Sequence, residues 1–99
     1  MSAPELSAAL FQRGAHVHII GIGGAGMSAI ARVLIGRGVR VSGSDRALND
    51  QTAALAALGA RIHEGHTARN LQSPDIVLIS SAISPENPEV EAALAAGIP

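Results

Sequence analysis

Apolar and polar positions divide this chain into short apolar runs separated by stretches of helical period. His16 to Ile20 reads as a strand, with Val17 and Ile19 on one face and His16 and His18 on the other. Met27 to Arg37 reads as a helix. Met27, Ile30, Ala31, Leu34 and Ile35 form its apolar stripe, Arg32 faces outward, Arg37 suits the last turn and Gly38 supplies a left-handed cap. Val39 to Gly43 is a second strand, closed by Ser44-Asp45. A second helix runs from Asn49 to Leu58, capped by Asn49 or Asp50, buried through Ala54, Leu55 and Leu58, and stopped by Gly59. Arg61 to His63 is a short third strand. Thr67 to Leu71 is one helical turn with Asn70 facing the preceding loop, and Ser73-Pro74-Asp75 is a turn. Ile76 to Ser80 is a fourth strand, whose unbroken apolar run predicts burial on both faces. The last helix spans Asn87 to Ala96. Asn87 caps it, Pro88 takes the first position, Glu89 and Glu91 complement the dipole, and Gly97 ends it.

Strands alternating with helices predict an α/β fold: a Rossmann-like, doubly wound parallel sheet of four strands with helices on both faces. One domain over 15–99 accounts for the pattern. Residues 1–14 predict a short helix or a loose arm, with Ser2 and Glu5 at capping-box spacing and Leu6, Ala9, Leu10 and Arg13 along one face. A strand would ordinarily follow Gly97. The expectation is therefore a fifth strand beyond Pro99 and a domain drawn from a longer protein.

Composition narrows the chemistry. The 99 residues are 47% hydrophobic, enough for a core, but hold one aromatic, Phe11, and many alanines, which favours close helix-on-sheet packing over bulky interdigitation. A net charge of -1 gives no electrostatic case for nucleic acid or an acidic membrane surface. There is no cysteine, hence no disulfide and no thiolate metal site. No apolar run approaches the roughly 18 residues of a membrane span, so a soluble cytoplasmic protein is the expectation. There is also no lysine. All seven basic residues are arginines, which rules out a G-x-x-x-x-G-K-[ST] phosphate loop in this chain.

Between the first strand and first helix, Gly21, Gly23 and Gly26 have the spacing G-x-G-x-x-G. In that motif the first glycine permits the turn, the second admits a diphosphate, and the third lets helix and strand pack closely. The N–H groups and positive dipole end of the following helix favour an anion over the loop. Asp45, about 20 residues on, falls at the carboxyl edge of the second strand, where its carboxylate can accept ribose hydroxyls or hold a turn. At the same edge lie His66, able to stack on or bond a nucleotide, and Ser80-Ser81-Ala82-Ile83, a loop facing the glycine turn across the switch point between strands one and four. Arg46 reads as a solvated side chain. No metal is expected: His16 with His18 lack a carboxylate or third ligand, and His63 with His66, three apart across a strand and a loop, do not share a helical face.

The residues also resemble the Mur ligases. Ile19-Ile20-Gly21-Ile22-Gly23-Gly24-Ala25-Gly26-Met27-Ser28-Ala29-Ile30-Ala31 is similar to that family's opening signature. Val41-Ser42-Gly43-Ser44-Asp45, Gly59-Ala60, Gly65-His66, Asn70, Asp75-Ile76-Val77, Ser80-Ser81-Ala82-Ile83 and Asn87-Pro88-Glu89 follow in the family's order. The likeness covers about residues 16–99 and is nearest the members acting on UDP-N-acetylmuramate. It implies an amide bond made between L-alanine and the lactyl carboxyl of that substrate, through an acyl-phosphate, with ATP and Mg²⁺. It implies three domains, of which this stretch is the first. That domain binds the UDP part, and the partners are a central ATP-binding domain and a C-terminal domain. By the same resemblance Gly21, Gly23, Gly24, Ala25, Gly26, Met27 and Ser28 hold the diphosphate, and Ser44 and Asp45 the uridine side. His66, Ser80, Ser81, Ala82 and Ile83 line the nucleotide pocket. No residue here is assigned to catalysis. Two alternatives fit the glycines and Asp45: a nicotinamide-binding domain of an oxidoreductase or sensor, and a non-catalytic interaction domain.

Overall fold

The computed structural model describes residues 14–99. Apart from Gly14, the expected arm at 1–14 lies outside the described residues. The order of elements is β1 (His16–Ile20), α1 (Ala25–Gly36), β2 (Arg40–Asp45), α2 (Asp50–Ala57), β3 (Arg61–Glu64), a 3-10 turn (Ala68–Asn70), β4 (Ile76–Ile79) and α3 (Pro88–Ala95). All strand pairs are parallel, in the order β3-β2-β1-β4, so the order reverses between β1 and β4 as expected. β2 extends past its expected end because Ser44 and Asp45 pair with His63 and Glu64 of β3.

One face of the sheet carries the apolar core. Val17, Ile19 and Val41 pack with Ile22, Ala31, Leu34, Val39, Leu55 and Ala60, and Met27, Ile35, Ile62 and Leu78 close its margins. The stripe that α1 turns inward is Ser28, Ala31 and Leu34. Ile30, expected in that stripe, is exposed. It lies to one side of a helix that starts two residues earlier than the apolar pattern suggested. Leu58 is exposed too, because it is the residue just past the last turn of α2 and points off the sheet.

Close packing is concentrated at Gly43. A Cβ there would stand 2.5 Å from Ile22 Cδ1 and 2.7 Å from the Ile19 carbonyl oxygen. The glycine expected to serve close packing, Gly26, meets nothing within 4 Å and is exposed. The glycine bend and the sheet therefore pack most closely at Gly43 of β2, not at the third glycine of the motif.

β4 corrects another expectation. It pairs with β1 alone among the strands, Val77 and Leu78 are half-buried and Ile79 is exposed. Its Val77 N–H donates to the Pro99 carbonyl oxygen at 2.9 Å, so the last residue lies beside it. The opposite face of the sheet is polar. His18, Ser42 and Ser44 are buried there, under α3, which buries Glu89, Val90 and Ala93.

Candidate nucleotide site at the carboxyl edge

The glycine bend is shaped by its own hydrogen bonds. Gly21 takes φ +86°, and the N–H groups of Gly21 and Ile22 both donate to the Ser44 carbonyl oxygen, at 2.8 and 3.0 Å. The Gly24 N–H donates back to the Gly21 carbonyl oxygen. The Gly23 N–H donates to Asp45 Oδ2 at 2.8 Å, and Asn49 Nδ2 donates to the Gly23 carbonyl oxygen at 3.1 Å. A Cβ on Gly23 would lie 2.8 Å from Asp45 Oδ2 and 3.2 Å from Thr52 Cγ2. The second glycine thus leaves room for Asp45, Asn49 and Thr52, which occupy the space the motif assigns to a diphosphate. Ser28 is buried, with its N–H on the Gly24 carbonyl oxygen and its hydroxyl donating to the Ala25 carbonyl oxygen.

What remains open is the start of α1. Gly24 is its N-cap, with no side-chain cap and no acidic residue in the first turn. No acceptor among the described residues reaches the N–H groups of Ala25, Gly26 or Met27. Three unpaired donors at the positive end of a helix dipole, with Gly24, Ala25 and Gly26 exposed, form a seat for an anion.

A cleft of about 380 Å³ adjoins this seat, lined by Gly21, Gly24, Asp45, Arg46, His66, Ser80, Ala82, Ile83, Ser84 and Asn87. The loop after β4 closes one wall. Its Ile83 N–H donates to the Ser80 carbonyl oxygen, and a Cβ on Gly21 would lie 3.1 Å from Ile83 Cδ1. Of the residues expected at the site, Gly21, Gly24, Asp45, His66, Ser80, Ala82 and Ile83 come together on the cleft. Ala25, Gly26 and Met27 supply the open amides beside it. Gly23, Ser28 and Ser44 stand behind the site as its framework, and Ser81 is exposed outside the lining. Arg46 is exposed, as expected, and also borders the cleft. Among the described residues no group of three or more histidines and carboxylates could hold a metal.

The residue that sequence reasoning missed is Glu89. Its place in the first turn of α3 suggested only a charge complementing the dipole. Instead the carboxylate is fully buried and collects five donors. Oε1 accepts from His18 Nε2 at 2.5 Å and from the Ser44 hydroxyl at 2.9 Å. Oε2 accepts from Asn70 Nδ2 at 3.0 Å, and from His66 Nδ1 and the Thr67 N–H, both at 3.2 Å. Burial alone would raise the Glu89 carboxyl above its ordinary value. The hydrogen bonds from His18, Asn70 and Ser44 outweigh it and bring the group down to about 2. The network continues on the far side of His18, where Ser42 Oγ lies 2.7 Å from both His18 Nδ1 and His16 Nε2. Burial, and then the charge of Arg40, lowers His16. Burial likewise lowers His63, whose buried Nε2 has no partner among the described residues. A signal for Glu89 did exist. A histidine at the centre of a buried strand needs a polar partner, and Glu89 sits four residues before Ala93 on the helix face that packs inward.

Comparison with known proteins bears on this geometry directly. The model of the Mur ligase family, catalytic domain, matches residues 16–99. The chain belongs to the Mur ligase family. Over 84 residues it is 55% identical to a UDP-N-acetylmuramate–L-alanine ligase of Nitrosomonas eutropha, an alignment covering 85% of this chain and 18% of the relative. Among solved structures, UDP-N-acetylmuramate-alanine ligase from Thermotoga maritima superposes with a TM-score of 0.83 at 38% identity, over 85% of this chain and 20% of that one. A murein peptide ligase from Psychrobacter arcticus gives 0.81 at 32% identity, over 86% and 18%. The chain therefore spans about a fifth of the length of the Mur ligases it matches. The α/β, Rossmann-like fold is the one those ligases share over this stretch. Among the described residues, no helix is long and apolar enough to cross a membrane.

Proposed function

We propose that residues 15–99 are the substrate-binding first domain of a UDP-N-acetylmuramate–L-alanine ligase of peptidoglycan biosynthesis. In this reading the domain seats the UDP moiety at the carboxyl edge of the sheet. The observation that carries it is the row of open amides at Ala25, Gly26 and Met27 beside a cleft faced by Asp45 and His66. The amides and the dipole of α1 take the diphosphate, and Asp45, with one oxygen spent on Gly23, offers the other to the ribose. His66, Ser80, Ala82 and Ile83 enclose the nucleoside. Membership of the Mur ligases favours this over a nicotinamide-binding domain or a non-catalytic interaction domain.

This chain, lacking lysine, has no Walker-type phosphate loop, and its described residues hold no metal-ligating cluster. ATP and Mg²⁺ are assigned to the other domains of the ligase, which complete the site and act on the sugar and lactyl end of the substrate. The cytoplasm, where nucleotide-linked precursors and ATP are found together, is the compartment this reading requires.

Titration of the ¹⁵N-labelled chain with UDP-N-acetylmuramate and, separately, with NADH tests the reading. The expected outcome is saturable movement of the Ala25, Gly26 and Met27 amide resonances with the UDP-sugar and none with NADH. Preference for NADH, or movement confined to residues away from the bend, would overturn it.

A further inference from the structure

The His66 ring reaches the cleft but is held from behind. Its Nδ1 lies 2.9 Å from Ser44 Oγ and 3.2 Å from Glu89 Oε2, and its side chain is 17% exposed. The proton positions around it follow from chemistry. Glu89 is ionised, and an ionised carboxylate only accepts. The single hydroxyl proton of Ser44 is committed to Glu89 Oε1 at 2.9 Å, so towards His66 the Ser44 oxygen also can only accept. Both neighbours of Nδ1 are therefore acceptors, and Nδ1 must carry the ring proton. Nε2, on the other side of the ring, bonds to no group among the described residues. In the neutral ring it is left as a lone pair for the cleft.

We propose that Glu89 is a positioning residue for ligand recognition. By keeping the proton of His66 on Nδ1, it presents Nε2 to the cleft as an acceptor that reads an N–H or O–H donor of the bound nucleoside. This rests on the UDP-binding reading above and deepens it. The other contacts of Glu89 serve the same end. Asn70 Nδ2 bridges Oε2 and the Gly65 carbonyl oxygen, at 3.0 Å each, and the Thr67 N–H binds Oε2, so both flanks of His66 are tied to the carboxylate that orients its ring. His18, buried and 2.5 Å from Oε1, keeps that carboxylate from turning away.

The test reads the tautomer itself. Long-range ¹H–¹⁵N spectra of the chain at neutral pH should show His66 protonated on Nδ1, with Nε2 bearing the lone pair. Addition of UDP-N-acetylmuramate should move the Nε2 resonance as the lone pair accepts a bond. In E89Q the His66 signals should shift to a mixture dominated by the Nε2-protonated tautomer, with affinity for UDP-N-acetylmuramate falling about tenfold as the fraction presenting the lone pair falls to about a tenth. S44A, which leaves the carboxylate in place, should retain the Nδ1-protonated form, and E89D should fall between wild type and E89Q. His66 protonated on Nε2 in the wild-type chain would overturn the proposal without recourse to any variant. So would an unchanged tautomer in a folded E89Q. If the ligand moves the Ala25–Met27 amides but not His66 Nε2, this inference fails and the domain reading stands. If it moves neither, both fail.

Discussion

At Gly43 the bend and the strand beside it come closer than any side chain permits, and one methyl group measures how much depends on that. A Cβ would meet Ile22 Cδ1 and the Ile19 backbone oxygen well inside contact distance, and the oxygen cannot step aside without moving β1. G43A should cost about 1–3 kcal/mol, the ordinary toll of overpacking a filled core. G26A makes the opposite case, because nothing lies within 4 Å of the added methyl. It should leave stability unchanged or raise it by up to about 1 kcal/mol, as alanine replaces glycine in a helix. Urea midpoints of the two variants would separate the sequence motif, which places the tight glycine at 26, from the geometry, which places it at 43. The motif located the turn correctly, and φ +86° at Gly21 is why that position tolerates little else. It could not say which glycine is compressed, since that depends on a strand twenty residues away.

At the scale of elements, local chemistry was legible. Asn49 caps α2 with a reciprocal capping box to Thr52, Asn87 caps α3 ahead of Pro88, and Gly38, Gly59 and Gly97 end their helices at positive φ. Each of these signals acts within a turn of its own position, so a single sequence contains it. Asn49 also does something its cap role conceals. The amide that accepts from the Thr52 N–H also donates to the Gly23 carbonyl, fastening α2 to the glycine bend. N49A should therefore destabilise by about 1–2 kcal/mol through the lost cap. N49D should recover the cap but not the link, leaving the Gly23 and Gly24 amide resonances displaced while the unfolding midpoint returns most of the way. Burial of β4 was misread for a related reason. An apolar run shows that a strand wants cover, while its place in the sheet order decides how much it receives among these residues.

For the molecule as a whole, the buried polar face makes stability depend on acidity. The Glu89 carboxyl sits at about 2 in the folded protein against an ordinary 4.5. Its contribution is complete above 4.5 and is lost as pH falls towards 2. His16 and His63 are lowered from 6.5, so the unfolded chain takes up their protons first and acidification through 6.5 already costs stability. Urea midpoints should fall in two stages, a shallow one below about pH 6.5 and a steeper one below about pH 4.5. E89Q, less stable above about pH 4.5, should lose the second stage and converge on the wild type in acid. This face was the least legible part of the fold. Its contacts join His18 to Glu89 across 71 residues, so the buried histidine announces a polar partner without saying which one.

That long reach has a consequence for synthesis. The glycine bend, β1 and β2 are complete within the first half of the chain, yet the carboxylate that orients His66 arrives only with the last helix. A nascent chain in which α3 has not yet emerged would hold the anion seat without a settled imidazole, and leave His18 with Ser42 as its one side-chain partner among the described residues. Recognition at this edge therefore waits until α3 has left the ribosome, however early the glycine bend is made.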